Sequence, residues 1–220
     1  NFDFARHLGV VPLAASEIGA IATQCQIFLG QGRGHWQVFA KVEAGKLEHL
    51  KARPFLVNIY PFTALTRQGD WVLGVYDDPA CVQAQGHPFF RDGAPTQTVV
   101  KLQQRIAKFI AGLKQASAVA QTMATCGILE PAGPQDGDWS VWQVNEEKLA
   151  TLDQAQLGAL HRGGGLALAY AQVLSQFHAK PSRRRENAPA AAKRPQDGFL
   201  DAVAEDMDDL NLAGIGALIE

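Results

Sequence analysis

The chain has 220 residues, of which 47% are hydrophobic and 19% charged, and its formal net charge is −2 at pH 7. A chain of this length and composition can bury one substantial core, as a single soluble domain does. Because no uninterrupted apolar run approaches the roughly 20 residues needed to cross a bilayer, the sequence excludes a membrane span.

The N-terminal half predicts a short helix and two β-hairpins. Apolar residues recur at helical spacing over Ile18, Ile21, Ala22 and Cys25, with Ser16 as the candidate cap. Strand-like runs surround two turns: "CQIFLG" and "HWQVFAKV" surround "GQGRG", and "FTALT" and "WVLGVYD" surround "RQGD". Between the hairpins, the two prolines of "ARPFLVNIYPF" allow only a single helical turn. After them, "DDPACVQAQGHPFFRDGAP" is dense in turn formers and predicts a loop.

The second half predicts two long helices with the same apolar spacing. The first begins after Thr96, a candidate N-cap, and ends near Gly127. Its apolar series is Val99, Leu102, Ile106, Phe109, Leu113, Ala116, Ala120 and Met123. A strand-like "WSVWQV" precedes the second helix, for which Thr151 and Gln154 form a candidate capping box. The second series is Leu157, Leu160, Gly164, Ala167, Ala171 and Leu174. The whole pattern predicts an α+β fold: a small antiparallel sheet with an N-terminal helix, packed against a C-terminal pair of long helices.

Three consecutive glycines, 163–165, lie inside the second predicted helix. Glycine in a helix interior costs roughly 1 kcal/mol relative to alanine, so the run costs about 3 kcal/mol before any tertiary gain. The small residues Gly164, Ala167 and Ala171 would offset this cost if they packed closely against Ala116 and Ala120. Gly163 and Gly165 lie off that series, so a break in the helix or a close ligand approach stays open as the alternative.

Charge divides the chain into three parts. Residues 1–178 carry 14 basic and 14 acidic side chains and form the predicted domain. Residues 179–197 hold six basic and two acidic side chains in a Pro- and Ala-rich linker. Residues 198–220 hold six acidic side chains and no Lys or Arg. In this last part, apolar residues at helical spacing predict an amphipathic docking segment that binds a protein partner or a second copy: Phe199, Leu200, Val203, Met207 and Leu210.

Six stretches, in the same order, resemble the SapC family. The first two are "FDFARHLGVVPLAASEIGAIATQCQIFLG" and "IYPFTAL", and the third is "VYDDPACVQAQGHPFFRDGAPT". The others are "GILEP", "VNEEKLATL" and "LHRGGGLALAYAQVLS", so the resemblance covers about residues 2–176. One departure is at Asn58 and Ile59, where many members have a basic pair before Tyr-Pro-Phe.

The resemblance implies a cellular system in which the protein acts, and it implies no particular reaction. The family takes its name from association with a bacterial surface layer, and its members often neighbour genes for tryptophan-halogenase-like flavoproteins and outer-membrane receptors. No established catalytic residues come with the family. We therefore expect a non-catalytic accessory protein of a surface-layer or flavin-dependent halogenase-associated system.

Polar and aromatic residues nominate a ligand site between sheet and helices. Glu17 borders an apolar face and, if buried, needs a partner such as Arg6 or Arg53. The Tyr-Pro-Phe segment supplies Tyr60 and Phe62, and the glycine-rich helix supplies His161, Arg162 and Tyr170. An enzyme or a small-molecule sensor using these residues is the alternative function.

The sequence nominates no catalytic set, metal site or cofactor. No second histidine stands at ligand spacing, and the three cysteines form no C-x-x-C pair. We interpret "GQGRGHW" as a hairpin turn rather than a phosphate loop, because a strand follows it. A neutral body with an acidic end argues against nucleic acid as a partner. The cysteine usage favours the reducing cytoplasm, with association at the cell surface and a removed signal peptide left open.

Overall fold

The computed structural model describes residues 9–32, 34–67, 70–77, 82, 86–133 and 139–178. The strands are β1 Val10–Pro12, β2 Ile27–Gly32, β3 His35–Lys41, β4 Phe62–Arg67, β5 Asp70–Val75, β6 Phe90–Arg91, β7 Ala94–Pro95, β8 Leu129–Pro131 and β9 Trp139–Val144. The α-helices are α1 Ile18–Ala22, α2 Phe55–Asn58, α3 Gln97–Thr125, α4 Glu146–Ala150, α5 Gln154–Gly163 and α6 Gly165–Ser175. Short 3-10 helices span Ala44–His49 and Gln176–His178.

The main sheet has five antiparallel strands in the order β1-β3-β2-β9-β8. Leu29 of β2 lies opposite Val38 on one side and Trp142 on the other. Because side chains alternate along a strand, Ile27 and Leu29 point to the same face, and both are fully buried. The predicted hairpins β2-β3 and β4-β5 are confirmed, and β4-β5 forms a separate two-stranded sheet. The α+β class is therefore confirmed.

The long helix α3 confirms its predicted series, since all eight apolar positions from Val99 to Met123 are buried. Its N-cap is Thr96, and Gly127 follows its C-terminal end with φ of 74°. The N-terminal part of α3 packs against the β4-β5 hairpin through Leu102, Ile106 and Ile110. The C-terminal part packs in the main core under the five-stranded sheet. One helix thus supports both the five-stranded sheet and the β4-β5 sheet.

The close backbone approach to α3 occurs at Gly112. A Cβ atom at Gly112 would lie 2.7 Å from the Cβ of Ala14, and the backbone N–H of Ala15 donates to Gly112 O at 2.9 Å. The segment between β1 and α1 therefore packs directly against the backbone of α3. The prediction that Gly164 provides such an approach is wrong, because a Cβ at Gly164 would meet no atom within 4 Å.

The second predicted helix is two helices that meet at Gly164. This glycine has φ of 77° and ψ of 5°, in the left-handed region, and its N–H donates to the carbonyls at the end of α5. Such a residue ends a helix at little cost only when it is glycine. Gly165 has a different role, because a Cβ there would lie 2.6 Å from Cδ2 of the fully buried Leu160. The open alternative of a break at the glycines is the one the structure shows.

The break changes which face of the second helix is buried. Of the predicted series, Leu160 is fully buried, but Leu157 and Leu174 are 44% and 60% exposed, and Ala167 is exposed. After the break, α6 buries Gly165, Leu168, Ala169, Gln172 and Ser175 instead. The expected pair of long helices is therefore corrected to one long helix, α3, accompanied by α5 and α6.

Two predicted caps are also corrected. The capping box of α5 is formed by Asp153 and Gln156, not by Thr151 and Gln154, because the unpredicted helix α4 occupies the chain up to Ala150. The N-cap of α1 is Glu17 rather than Ser16, and it makes no side-chain cap bond.

Buried polar side chains of α6 close the gap between β2 and β9. Extension of the β2-β9 register would place Ile27 opposite Val144. There the Gln172 amide lies between the strands, donating to Ile27 O at 3.3 Å and accepting from Val144 N at 3.1 Å. Ser175 Oγ accepts from Ile27 N at 2.8 Å. These bonds satisfy buried backbone groups that the ladder leaves open, and they fix the rotation of α6.

Candidate functional site

The outer face of α6 and the short 3-10 helix that follows it, Gln176–His178, carry an exposed apolar stripe. Ala167 is exposed, and Tyr170, Leu174 and Phe177 are 58%, 60% and 85% exposed. The four residues step by three, four and three, which is the spacing of a helix face that packs against another helix. We call these four residues the α6 stripe. The bonds of Gln172 and Ser175 to the sheet hold the opposite face inward, so the stripe points outward.

The part of the sequence that contains the stripe has no acidic residues. No Asp or Glu occurs from residue 154 to residue 185, a stretch that includes all of α5 and α6. His161 and Arg162 at the end of α5 are exposed, as is His178 just after the stripe. The charge of these two helices favours an apolar partner that carries acidic side chains.

A second exposed apolar patch lies on the β4-β5 hairpin. Leu65, Val72, Val75 and Tyr76 are between 38% and 49% exposed. These values are lower than those of Tyr170, Leu174 and Phe177, and the residues are distributed over the two faces of the hairpin. The patch therefore serves as an internal comparison for the α6 stripe.

Glu17, predicted to bind a ligand, accepts two hydrogen bonds from the backbone. Its carboxylate accepts from Ala14 N at 3.0 Å and from Phe55 N, the first residue of α2. Burial raises the pKa of the Glu17 carboxyl above its ordinary value, and the two backbone hydrogen bonds oppose that shift. The carboxylate therefore has a structural role in joining α1 to α2. The expected partner Arg53 donates to the carbonyls of Leu47 and Glu48, and Arg6 lies outside the described residues.

Tyr60 and Phe62 form part of an aromatic group next to α2. The Tyr60 ring stacks on Tyr76 with centroids 5.8 Å apart, and the Phe62 ring meets the edge of Phe89 at 5.3 Å. The Tyr60-Pro61 peptide is cis. Both nominated side chains are half-buried.

The nominated ligand residues lie in two sets of elements. Glu17, Tyr60 and Phe62 lie beside or just after α2, where they are half-buried. His161, Arg162 and Tyr170 are exposed on α5 and α6. That all six bind one ligand stays a prediction.

Leu174 and Phe177 are surface residues outside the set that the sequence predicts for ligand or partner binding. The sequence does contain a pattern that indicates this surface, because regular helical spacing relates Ala167, Tyr170, Leu174 and Phe177. It overlapped with the predicted buried series, which also contains Ala167 and Leu174.

The predicted C-terminal docking residues lie outside the described residues: Phe199, Leu200, Val203, Met207 and Leu210. The proposed linker, residues 179–197, lies outside them as well. Within the described ranges, no group of three or more His, Cys, Asp or Glu side chains could hold a metal ion. None of the described helices has the length and apolar character required to cross a membrane.

Comparison with known proteins gives one result. The SapC family model matches residues 1–180 of the chain. No curated protein and no solved structure gives a match. The matched region contains every residue that the structure describes, and the acidic C-terminal part follows it.

Proposed function

The chain belongs to the SapC family, and from this premise we propose that it is a non-catalytic accessory protein that acts through protein–protein contacts. The α6 stripe is the surface that makes them. The system served would be the one that the family resemblance implies, either a surface layer or a flavin-dependent halogenase-associated system. The cytoplasm is the proposed location, with association at the cell surface as the alternative.

The single observation behind this proposal is the exposure of large apolar side chains along one face of α6 and the 3-10 helix that follows it. With about 200 Å² for a large side chain, the exposed fractions of Tyr170, Leu174 and Phe177 amount to roughly 400 Å². Exposed apolar patches of about 300–600 Å² on a monomer are often functional. Ordinary surface leucines and phenylalanines occur singly, whereas these follow one line along a helix.

The geometry of the stripe supports a helical partner. Side chains that step by three and four residues fit the holes between side chains of a facing helix. Tyr170 can bury its ring and keep its hydroxyl at the rim, as tyrosines at interfaces commonly do. The partner would supply an apolar helix face with acidic flanks, because α5 and α6 carry Arg162 and no carboxylate.

The alternative, an enzyme or a small-molecule sensor, would need His161, Arg162 and Tyr170 to line a pocket. All three are exposed on the outer surface of the helices. Exposure of this kind supports contact with a macromolecule better than enclosure of a small ligand, because ligand sites bury most of the ligand surface in a concavity.

Site-specific photocross-linking in cells of the source organism tests the proposal. A photoreactive p-benzoylphenylalanine at position 170 or 177 should give an adduct with one protein, and the same group at Val72 of the hairpin should not. The complex reconstituted from the two purified proteins should weaken by tenfold or more when Leu174 is changed to Ser, since loss of a buried leucine contact costs about 1.5–3 kcal/mol. Equal adducts at positions 72 and 177, or a complex that Leu174→Ser leaves intact, would contradict the proposal.

A further inference from the structure

We infer that the α6 stripe is covered, in the absence of a partner, by residues 199–210 of the same chain. This inference rests on the proposed function, in which the stripe is a docking surface, and it names an occupant of that surface. Residues 199–210 are called the tail segment below.

The tail segment has the chemistry that the stripe requires. Its apolar residues, Phe199, Leu200, Val203, Met207 and Leu210, share one face at helical spacing. The other positions include Asp201, Glu205, Asp206, Asp208 and Asp209, and the segment has no Lys or Arg. A helix of this kind places carboxylates at the rim of its apolar face, opposite helices α5 and α6, which carry Arg162 and no Asp or Glu.

The position and length of the intervening chain make the docking possible within one molecule. The stripe ends at Phe177, and 20 residues separate His178 from Phe199. A flexible chain of that length has a root-mean-square reach of about 25 Å. The stripe from Ala167 to Phe177 is about 15 Å long at 1.5 Å per helical residue. The tail segment can therefore lie along the whole stripe in either direction.

The tether favours the tail segment over a second copy of the chain. A tethered segment meets its site at an effective concentration in the millimolar range. A segment from a second molecule meets the same site only at the concentration of the protein in solution, without this gain. Docking within one molecule is therefore favoured over docking between two copies.

Photocross-linking of the purified full-length chain tests the inference. The variant Phe177→p-benzoylphenylalanine should form a cross-link within one molecule, and mass spectrometry should locate its second end in residues 199–210. The same group at Val72, in the comparison patch, should not reach those residues.

Two further variants determine whether the apolar face of the tail is responsible. Leu200→Asp combined with Met207→Asp should lower the yield of the internal cross-link by about tenfold or more, because it removes two apolar contacts. Glu205→Gln, on the opposite side of the predicted helix, should retain the cross-link. A yield that the double variant leaves unchanged would overturn the inference.

The other outcomes also decide the question. Cross-links that join two molecules would overturn docking within one chain in favour of a second copy. If position 177 of the purified chain forms no cross-link with any part of the same molecule, the inference is also overturned. If the adduct with another protein still forms in cells, the proposed function stands and only the internal docking fails. If the internal cross-link forms and no adduct with another protein is found, the internal docking stands and the proposed binding of another protein is contradicted.

Discussion

Replacing glycines 163, 164 and 165 one at a time with alanine should give three different stabilities. Gly163 is helical, and a Cβ there would lie 4.0 Å from Cγ2 of Thr122, an ordinary contact. Gly163→Ala should therefore raise the free energy of unfolding by about 0.5–1 kcal/mol, because alanine is the better helix former.

The other two variants should destabilise the chain for different reasons. Gly164→Ala forces an L side chain to adopt φ near 77°, which costs about 1–2 kcal/mol. Gly165→Ala places a methyl group 2.6 Å from Cδ2 of Leu160, a fully buried side chain that must move. Overpacking of this kind costs about 1–3 kcal/mol.

Urea denaturation followed by tryptophan fluorescence measures the three changes, and the chain has four tryptophans. Ala167→Gly, at an exposed position of α6, provides the scale for a glycine in this helix, about 1 kcal/mol of lost stability. A Gly164→Ala variant as stable as the natural chain would refute the break between α5 and α6. The exposed face of α6, and therefore the residues of the α6 stripe, would then have to be identified anew.

Three further predictions concern contacts that hold the site in place. Because the folded-state pKa of Glu17 is raised, the folded chain holds more protons than the unfolded chain between the ordinary pKa of 4.5 and the folded value. The stabilising effect of the protonated Glu17 carboxyl is thus complete below pH 4.5 and is lost as the pH rises through the folded-state pKa. The stability of the natural chain relative to Glu17→Gln, measured by urea denaturation at several pH values, should therefore fall over that interval. A difference in stability that does not depend on pH would count against the burial of this carboxyl group. Gln172→Leu should lower the free energy of unfolding by about 2–4 kcal/mol, because it leaves a buried N–H of β9 and a buried carbonyl of β2 with fewer partners, and thermal melting that matches the natural chain would contradict that role. Gly112→Ala should destabilise by about 1–3 kcal/mol despite the higher helix propensity of alanine, because its methyl group would lie 2.7 Å from Ala14, and a gain in melting temperature would show that this approach is looser.

Much of the fold could be predicted where one period dominates the sequence. The apolar series of α3 has a single face, so its eight positions could be assigned to the core by spacing alone, whereas Ile110 and Gly112 are buried outside that series. The hairpins β2-β3 and β4-β5 combine strand-like runs with turn residues, and both were correctly predicted.

The break at Gly164 and the orientation of α6 depend on contacts distant in sequence. Two apolar faces compete along α6, and spacing alone favoured the one that contains Leu174. The structure buries the face with Gln172 and Ser175, which look like surface residues, because their side chains satisfy the backbone of strands more than a hundred residues away at Ile27. A pattern based on hydrophobicity gives polar residues no weight as core positions.

The candidate site was predicted only in part for the same reason. The position of Tyr170 beside the glycines predicts a binding residue, whereas helical spacing places Leu174 in the core and gives Phe177 no role. Once α6 is rotated by its polar contacts, the three residues become neighbours on the surface.

Hydroxyl-radical footprinting of the full-length chain tests the central claim, that the tail segment covers the α6 stripe. Tyr170 and Tyr76 are 58% and 49% exposed in the described part of the chain, so they would react at similar rates if nothing covered either ring. We predict that Tyr170 is oxidised several-fold more slowly than Tyr76 and that Leu200→Asp with Met207→Asp removes the difference. Oxidation of Tyr170 at least as fast as that of Tyr76 in the natural chain would contradict the claim.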